Sequence, residues 1–413
     1  MRTVFYLRTS LLFLTVILLS AIFSNQAVFS QSIKVKVGCL YPLTGPGGLY
    51  GRDSVAGARL ALEVLNEQRQ HGDPEIEVLF GDTRSKSLRT VQSARSFIEK
   101  DGVDFLCGVV SSGVALSVTE VAKQKQVFFI GTDHASPRLV SEALHPFYFR
   151  VSNGTRQSMR AGARHIKRFY AKKKPLRIAF VGPDYDYGYQ AWDDLKAFLK
   201  EEKVNYKVVG VFWPKLFEPN FSPYIHAVMD SEPDIVVNGH WGQDLVTFVK
   251  QGSGLKLFDG PVFMNFDAGG NFEILSELGA DMPLGLVLSA RHHVNWPDTR
   301  ENRKFVSTFY EKFGRYPSYA AEGAYSGILA ISQAVKNAGG TDKEKLRQAL
   351  KHLKLTLPED PEGFKSHMDP DSHQILQVQV IGKTIRDESY APARVLLGEW
   401  QQYYPPAKWP DLK

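Results

Sequence analysis

Residues 33–65, IKVKVGCLYPLTGPGGLYGRDSVAGARLALEVL, contain the pattern that decides the fold. The apolar run Ile33–Leu40 has the length of a buried strand, and the glycine- and proline-rich segment after it is typical of a turn. The end of the stretch places apolar residues at spacings of three, four and three, on one face of a helix: Val55, Ala58, Leu62 and Leu65. The stretch therefore predicts a strand, a turn and a helix.

The same unit recurs along most of the chain. Further short apolar runs predict strands at Ile76–Phe80, Phe105–Cys107, Val127–Ile130, Ile178–Val181, Tyr206–Val211, Ile235–Asn238 and Val262–Asn265. Helical spacing predicts helices between them at Leu88–Lys100, Ala115–Lys125, Gln157–Tyr170, Ala191–Glu202 and Leu245–Gln251. Such alternation is typical of an α/β fold whose parallel sheets are covered by helices on both faces.

The repeated units form two series, which divide near Phe149–Asn153. A run at Leu286–Ser289 follows, and the remaining elements are predicted at Arg300–Phe313, Ala320–Asn337, Lys343–Leu353 and, as a strand, Ile375–Ile381. We expect two doubly wound parallel-sheet lobes joined by a hinge of several chain crossings. The predicted lobes are residues 31–150 with 284–360 and residues 151–283 with 361–413. The turn-rich stretch Pro358–Ser372 resembles a linker.

Composition narrows the class of protein. The chain has 413 residues, of which 43% are hydrophobic, a formal charge of +6 and two cysteines. This length favours two domains, and the charge is too small to indicate a nucleic-acid partner. Two cysteines exclude a disulfide-dense scaffold and a zinc site of several thiolates. Cys39 and Cys107 would lie on neighbouring strands, where a disulfide bond and two buried free thiols both remain open.

The N-terminus has the pattern of an export signal. Arg2 and Arg8 precede the apolar run Leu11–Phe23, which a polar stretch follows. The run is shorter than the roughly 20 residues that a membrane span needs, which argues against an uncleaved anchor. We therefore expect residues 1–30 to be a signal peptide, cleaved after Ser30 or Ala27, and the mature protein to be exported.

The residues that follow the predicted strands are the candidate ligand site, because ligands of doubly wound sheets bind at the carboxyl ends of the strands. Ser112 begins a helix, where its hydroxyl and the free N–H groups can bind an anion; capping of its own helix is the alternative. Tyr50, Tyr187 and Trp241 follow three different strands and predict an aromatic clamp. Asp267 supplies a carboxylate.

Other motifs carry weaker signals. The glycines of residues 45–51 superficially resemble a dinucleotide fingerprint, but Pro46 removes a donor and no acidic residue ends the next strand at the usual interval. His292 and His293 are adjacent, so they do not share a helix face as paired metal ligands do. We therefore expect no cofactor and no metal.

A basic helix face is also present. Arg156, Arg160 and Arg164 recur at intervals of four residues and share one face of the predicted helix. A solvated surface is the simpler interpretation, and a docking patch for an acidic partner is the alternative.

Two long segments carry a family resemblance: VGCLYPLTGPGGLYGRDSVAGARLALEVLNEQ (37–68) and CGVVSSGVALSVTEVAKQKQVFFIGTDHASPRL (107–139). Shorter segments add to it: DYGYQAW, VNGHWGQD, FMNFDAGGN and DPDSHQILQVQVIGK. Over nearly all of Ile33–Ile381 the chain resembles type I periplasmic solute-binding proteins of the branched-chain amino acid (Leu/Ile/Val) ABC-transporter group. The resemblance implies the type I periplasmic binding fold.

The resemblance also implies roles for residues of the predicted cleft. Ser112 matches a serine that binds the solute's carboxylate, and Tyr50 matches an aromatic of the side-chain pocket. Tyr187 and Trp241 match aromatics of the second lobe that close on the ligand. Asp267 matches the acidic residue that pairs with the solute's ammonium group.

Four consecutive residues complete the implied site and depart from the family in part. Asp133 falls where a backbone carbonyl accepts from the ammonium group. Ala135 stands where the family has a threonine that binds the ligand, and the bulky His134 precedes it. Ser136 is the candidate to replace the lost hydroxyl.

The function that this resemblance implies is that of the exported substrate-binding component of an ABC importer. We expect a periplasmic monomer that closes on a small polar solute, an amino acid or an amide, and delivers it to a membrane permease. The ligand-sensing subunit of a receptor or regulator is the alternative. An exported hydrolase is a third possibility, which the sequence disfavours because no nucleophile–base pair is evident.

Overall fold

The computed structural model describes residues 32–45 and 47–406. The predicted signal peptide and its cleavage site lie outside the described residues. No helix in the described ranges has the length and apolar character needed to cross a bilayer.

Fifteen strands are present in the described part of the chain. They are β1 Lys34–Tyr41, β2 Glu75–Asp82, β3 Phe105–Gly108, β4 Phe128–Gly131, β5 Tyr148–Arg150, β6 Leu176–Val181, β7 Tyr206–Phe212, β8 Ile235–Asn238, β9 Val262–Asn265, β10 Val287–Leu288, β11 Lys354–Leu355, β12 Ser366–Met368, β13 Ile375–Leu376, β14 Gln379–Arg386 and β15 Val395–Tyr403.

The same residues form eleven α-helices. They are α1 Gly48–Glu67, α2 Ser87–Glu99, α3 Ser112–Lys125, α4 Thr155–Phe169, α5 Asp186–Glu201, α6 Ser222–Asp230, α7 Gly242–Gly254, α8 Phe272–Leu278, α9 Arg300–Phe313, α10 Tyr319–Ala338 and α11 Lys343–Lys351. Each predicted strand and helix overlaps one of these elements, which confirms the α/β class.

The first lobe contains a parallel sheet with the strand order β2-β1-β3-β4-β5. Alternate residues of β1 face opposite sides: Cys39 packs in a core with α1 and α10, and Leu40 packs in a second core with α3. The strand is therefore apolar on both faces, as expected of a sheet covered by helices on each side.

Cys39 and Cys107 are directly paired in the register of β1 and β3, and they form a disulfide bond. Both are completely buried. The structure therefore decides between the two states that the sequence left open.

The second lobe contains a seven-stranded sheet, β15-β14-β10-β9-β8-β6-β7, in which β14 runs antiparallel to both of its neighbours, β10 and β15. The predicted single strand Ile375–Ile381 is wrong: the structure has β13 and β14, which belong to different sheets. The interruption coincides with a crossing between the lobes, because Ile375 packs in the core of the first lobe and Leu376 in that of the second.

These pairings bear on the lobe boundaries, which remain a prediction. Strand β10 pairs with β9 of the second sheet. Residue Met368, within the predicted linker, packs in the core of the first lobe. Both observations favour crossings near residues 289 and 376 over the predicted positions at 284 and 361. The third crossing follows β5, where Arg150 forms a bridge with Gln374.

Candidate functional site

A small cavity of about 20 Å³ lies where the carboxyl ends of the two parallel sheets face each other. It is lined by Val110, Ser112, Asp133, His134, Ala135, Tyr185, Tyr187, Trp241, Asp267, Arg291 and Tyr319. A space of this size holds about one water. The described form is therefore closed tightly around the site, and the lining residues rather than the empty volume define it.

Seven of the nine predicted site residues line this cavity, and the other two lie beside it. Tyr50 packs on two of the lining aromatics, with ring centroids 5.6 Å from Trp241 and 5.5 Å from Tyr319. Ser136 is buried, and its amide donates to Ser112 Oγ at 3.2 Å. The loops that follow β1, β3, β4, β6, β8 and β9 thus converge on one site, as their position in the sheets predicts.

Arg291 is the central charged group of the site. Its guanidinium forms ion pairs with Asp133 Oδ1 at 2.9 Å and with Asp267 Oδ2 at 2.7 Å, and it also donates to the backbone carbonyl of Asp133. Asp133 follows β4 of the first lobe, whereas Asp267 follows β9 of the second. Arg291 therefore links the two lobes across the cavity.

The carboxylate of Asp267 has a different partner from the one expected. Besides Arg291 it accepts hydrogen bonds from Ser158 Oγ at 2.7 Å and from the Tyr187 hydroxyl at 2.9 Å. Burial alone would raise the pKa of Asp267, but Arg291 and these hydrogen bonds outweigh it and lower the pKa. Asp267 is thus an ionised carboxylate whose oxygens are both engaged within the protein.

Asp133 is less completely satisfied. Its Oδ2 is buried and has no hydrogen-bond partner among the described residues. Burial raises the pKa of Asp133 to about 7, with Asp267 adding to the shift and Arg291 opposing it. Near neutral pH this carboxyl group therefore exchanges between its charged and neutral forms.

Ser112 does not cap its helix. Ser111 is the N-cap residue, no side-chain capping bond is present, and the first helical bond runs from the Ala115 amide. The hydroxyl oxygen of Ser112 instead accepts from the amides of Ala135 at 3.3 Å and Ser136 at 3.2 Å. Its hydrogen is consequently directed to a further acceptor, beside the N–H groups of the first turn, which have no acceptor within the helix.

The His134 ring is held by the protein on both nitrogens. Nδ1 is 2.8 Å from the Val109 carbonyl, and Nε2 is 2.8 Å from the Tyr148 hydroxyl. Burial, reinforced by the charge of Arg150, lowers the pKa of His134 to about 3. The ring is therefore a neutral wall of the cavity, and its polar atoms are used to fix the loop after β4.

Ala135 leaves the wall of the cavity without a hydroxyl at the position where the resemblance implies a threonine. The hydroxyl of Ser136 is buried without a partner in the described part of the chain, and Ser136 is not among the lining residues. The carbonyl of Ser136 accepts from the buried Arg150 at 2.7 Å. These contacts give Ser136 a role in the loop and do not support the expected replacement of the lost hydroxyl.

Three further lining residues were not predicted from the sequence as site residues: Arg291, Tyr185 and Tyr319. Arg291 lies three residues beyond the end of β10. Reading the residues that follow this strand, as was done for the other strands, would therefore have indicated it. Tyr185 lies in the loop after β6 and accepts from Trp241 Nε1 at 3.1 Å. Tyr319 begins α10, and no strand-end rule indicates it.

Two weaker sequence features can also be located in the structure. His292 and His293 are both buried, and no group of histidine, cysteine and acidic residues able to hold a metal ion occurs within the described ranges. On the basic helix face, Arg164 pairs with Glu202 at 2.9 Å. The docking role of that face stays a prediction.

Comparison with known proteins identifies the family. The family model described as periplasmic binding protein matches residues 34–383. Leu/Ile/Val-binding protein homolog 6 of Brucella melitensis is 27% identical over 371 residues, which cover 86% of this chain and 89% of that protein.

Solved structures show the same fold. A solute-binding protein of an ABC transporter from R. palustris, in complex with 4-hydroxybenzoate, matches with a TM-score of 0.79 at 22% identity, covering 90% of this chain and 97% of that one. The leucine-binding protein LivK of Thermotoga maritima matches with a TM-score of 0.74 at 20% identity, covering 89% and 98%. The fold and the matched length agree with the resemblance of the sequence, and the chain belongs to the periplasmic binding protein family.

Proposed function

We propose that this protein is the exported, periplasmic substrate-binding component of an ABC importer, which binds one small solute between its lobes and presents it to a membrane permease. The observation that carries the proposal is the cavity itself, because its lining residues come from the strand ends of both sheets. A solute held there touches both lobes only when they are closed. Binding therefore favours the closed form, in which a permease can distinguish loaded from empty protein.

The contacts around the cavity support closure as the binding event. One apolar cluster joins Tyr50, Val110 and Ala135 of the first lobe to Tyr187 and Trp241 of the second. At the rim, Arg138 Nη1 lies 3.0 Å from Asp186 Oδ1 across the cleft. The relatives agree with this role, since the R. palustris protein is a solute-binding protein of an ABC transporter.

The site supports binding without chemical conversion of the solute. The hydroxyls of Ser158 and Tyr187 donate to the ionised Asp267, and the His134 nitrogens are engaged with Val109 and Tyr148. None of these groups forms a nucleophile with a free base beside it. We propose a binding protein, acting as a monomer without a cofactor.

A thermal-shift panel of amino acids, amides and small carboxylates tests this function. We expect at least one solute to raise the melting temperature, because a ligand of the native state at a thousand times its dissociation constant adds about 4 kcal/mol of stability. Equilibrium dialysis should then return the solute unchanged at one molecule per chain. Turnover of the solute would instead indicate an enzyme. The sensing alternative predicts a different result in a strain that lacks this protein. If a solute binds, and the deletion strain still takes up that solute but no longer responds to it, the sensing alternative is favoured.

A further inference from the structure

Both carboxylates of the cavity already form an ion pair within the protein, so neither offers its full negative charge to a cationic group of a ligand. The two acidic lining residues, Asp133 and Asp267, come from opposite lobes and both pair with Arg291. The Asp267 carboxylate accepts four hydrogen bonds, which come from Arg291, Ser158 and Tyr187. The guanidinium therefore already stands where a cationic group of the ligand would have to stand.

Arg291 is also held firmly in that place. The guanidinium lies over the ring of Tyr319, 4.7 Å from its centroid, and the residue is buried. Burial alone would lower its pKa, but Asp267, Tyr319 and Asp133 raise the pKa well above its ordinary value. A ligand's ammonium group would have to displace this cation or lie beside it, and either arrangement is costly in a buried site.

Other polar groups of the site suit an anion. The Ser112 hydroxyl accepts two backbone N–H groups and so keeps its own hydrogen for a ligand. The free N–H groups at the start of α3 and the positive end of its dipole favour a negative charge at the same place. The buried, unpartnered Asp133 Oδ2 is a second, independent polar atom that needs a partner, and its carboxyl group can donate a hydrogen bond when protonated.

The remaining wall is apolar and aromatic. Tyr185, Trp241 and Tyr319 line the cavity together with Val110 and Ala135. Such a wall accommodates an apolar or flat solute body and offers an ammonium group no further anionic partner.

We propose that Arg291 is a specificity-determining residue that replaces the ligand's cation, so that the solute is a small organic carboxylate without an ammonium group. This inference rests on the proposed solute-binding function. It replaces the expected role of Asp267 as the partner of an ammonium group: Asp267 instead positions Arg291.

Pairs of solutes that differ in the ammonium group test the inference on the unaltered protein. Isothermal titration would compare phenylacetate with phenylglycine and 4-methylpentanoate with leucine, with phenylacetamide as the uncharged control. We expect at least one carboxylate to bind at least about tenfold more tightly than its amino-acid twin, and phenylacetamide to bind more weakly than phenylacetate.

A variant of Arg291 adds a test of mechanism. Arg291→Met frees the acceptors on Asp133 and Asp267, so the ratio of carboxylate to amino-acid affinity should fall at least about tenfold. Removing Arg291 leaves the buried carboxylate of Asp267 without a cation, which could prevent folding. In that case the double variant Arg291→Met/Asp267→Asn, which also removes this charge, replaces the single variant. Arg164→Met, which removes an arginine that pairs with Glu202 and does not line the cavity, should leave that ratio unchanged.

The outcomes separate this inference from the proposed function. Tighter binding of leucine or phenylglycine than of the matched carboxylates would overturn the inference and leave the solute-binding function in place. Binding of neutral amides alone would do the same. The proposed function itself would fail if no solute in the wider panel bound.

Discussion

At the scale of single residues, the charge state of Asp133 governs how the site responds to pH. Its pKa lies at about 7 because burial outweighs the ion pair with Arg291. The groups that interact with it are Arg291, Asp267, Glu273 and three buried tyrosines, Tyr41, Tyr185 and Tyr319, whose raised pKa values keep these tyrosines neutral. An anionic ligand beside Asp133 stabilises the protonated form and raises this pKa further.

Affinity for a carboxylate should therefore be pH-dependent. We expect phenylacetate to bind most tightly below about pH 7, where Asp133 is already protonated in the free protein. Above pH 7 the affinity should fall by up to about tenfold per pH unit, since binding then requires proton uptake. Titrations between pH 5.5 and 8.5 measure the slope.

Two isosteric variants identify the responsible group. Asp133→Asn should flatten the pH profile, whereas Glu273→Gln removes a second buried acid outside the cavity lining and should preserve it. An unchanged slope in Asp133→Asn would show that another group takes up the proton.

At the scale of elements, the start of α3 is the predicted carboxylate subsite. Ser112→Ala removes the donor to the ligand, and a hydrogen bond to a charged group contributes about 1.5–3 kcal/mol. We expect affinity for phenylacetate to fall about ten- to a hundredfold, measured by titration calorimetry. The melting temperature should fall by several degrees without loss of the fold, because leaving the two buried backbone amides without this acceptor costs about 1–3 kcal/mol.

Ser111 provides the matched control. It is the N-cap of α3, and its side chain makes no capping hydrogen bond. Ser111→Ala should therefore leave the affinity nearly unchanged. Equal losses of affinity in both variants would contradict the assignment of Ser112 as the contact to the ligand.

Elements also show what could be predicted from the sequence. Apolar runs bounded by turns predicted β8 and β9 with the observed ends, because these strands are almost entirely buried and the first three residues of each are apolar. The short β5 and the antiparallel β15 escaped prediction. In the exposed half of β15, apolar and polar residues do not alternate regularly. β5 has only three residues, which is too short for a recognisable apolar run.

The site was predictable in part for the same reason. Strand ends fix which loops converge, so Ser112, Tyr187 and Trp241 followed from topology. The pairing of Arg291 with Asp133 and Asp267 depends on how the lobes face each other, since residues 133 and 291 are far apart in sequence. No local pattern contains that information.

At the scale of the whole molecule, we expect the three predicted crossings between the lobes to act as a hinge, and the cleft of the described structure is closed. Trp241 is 9% exposed and Tyr187 is 4% exposed, so a solute cannot enter without separation of the lobes. Arg291 and Arg138 both form ion pairs across the closed cleft. These ion pairs already stabilise part of the closed form. The contacts of a bound ligand therefore add to them.

The central claim is that a small solute closes the two lobes around itself. Small-angle X-ray scattering of the purified protein, with and without a saturating amount of the tightest-binding solute of the panel, measures this most directly. The account predicts a smaller radius of gyration in the bound state and scattering that matches the closed structure. Identical scattering curves for the free and the bound protein would contradict it.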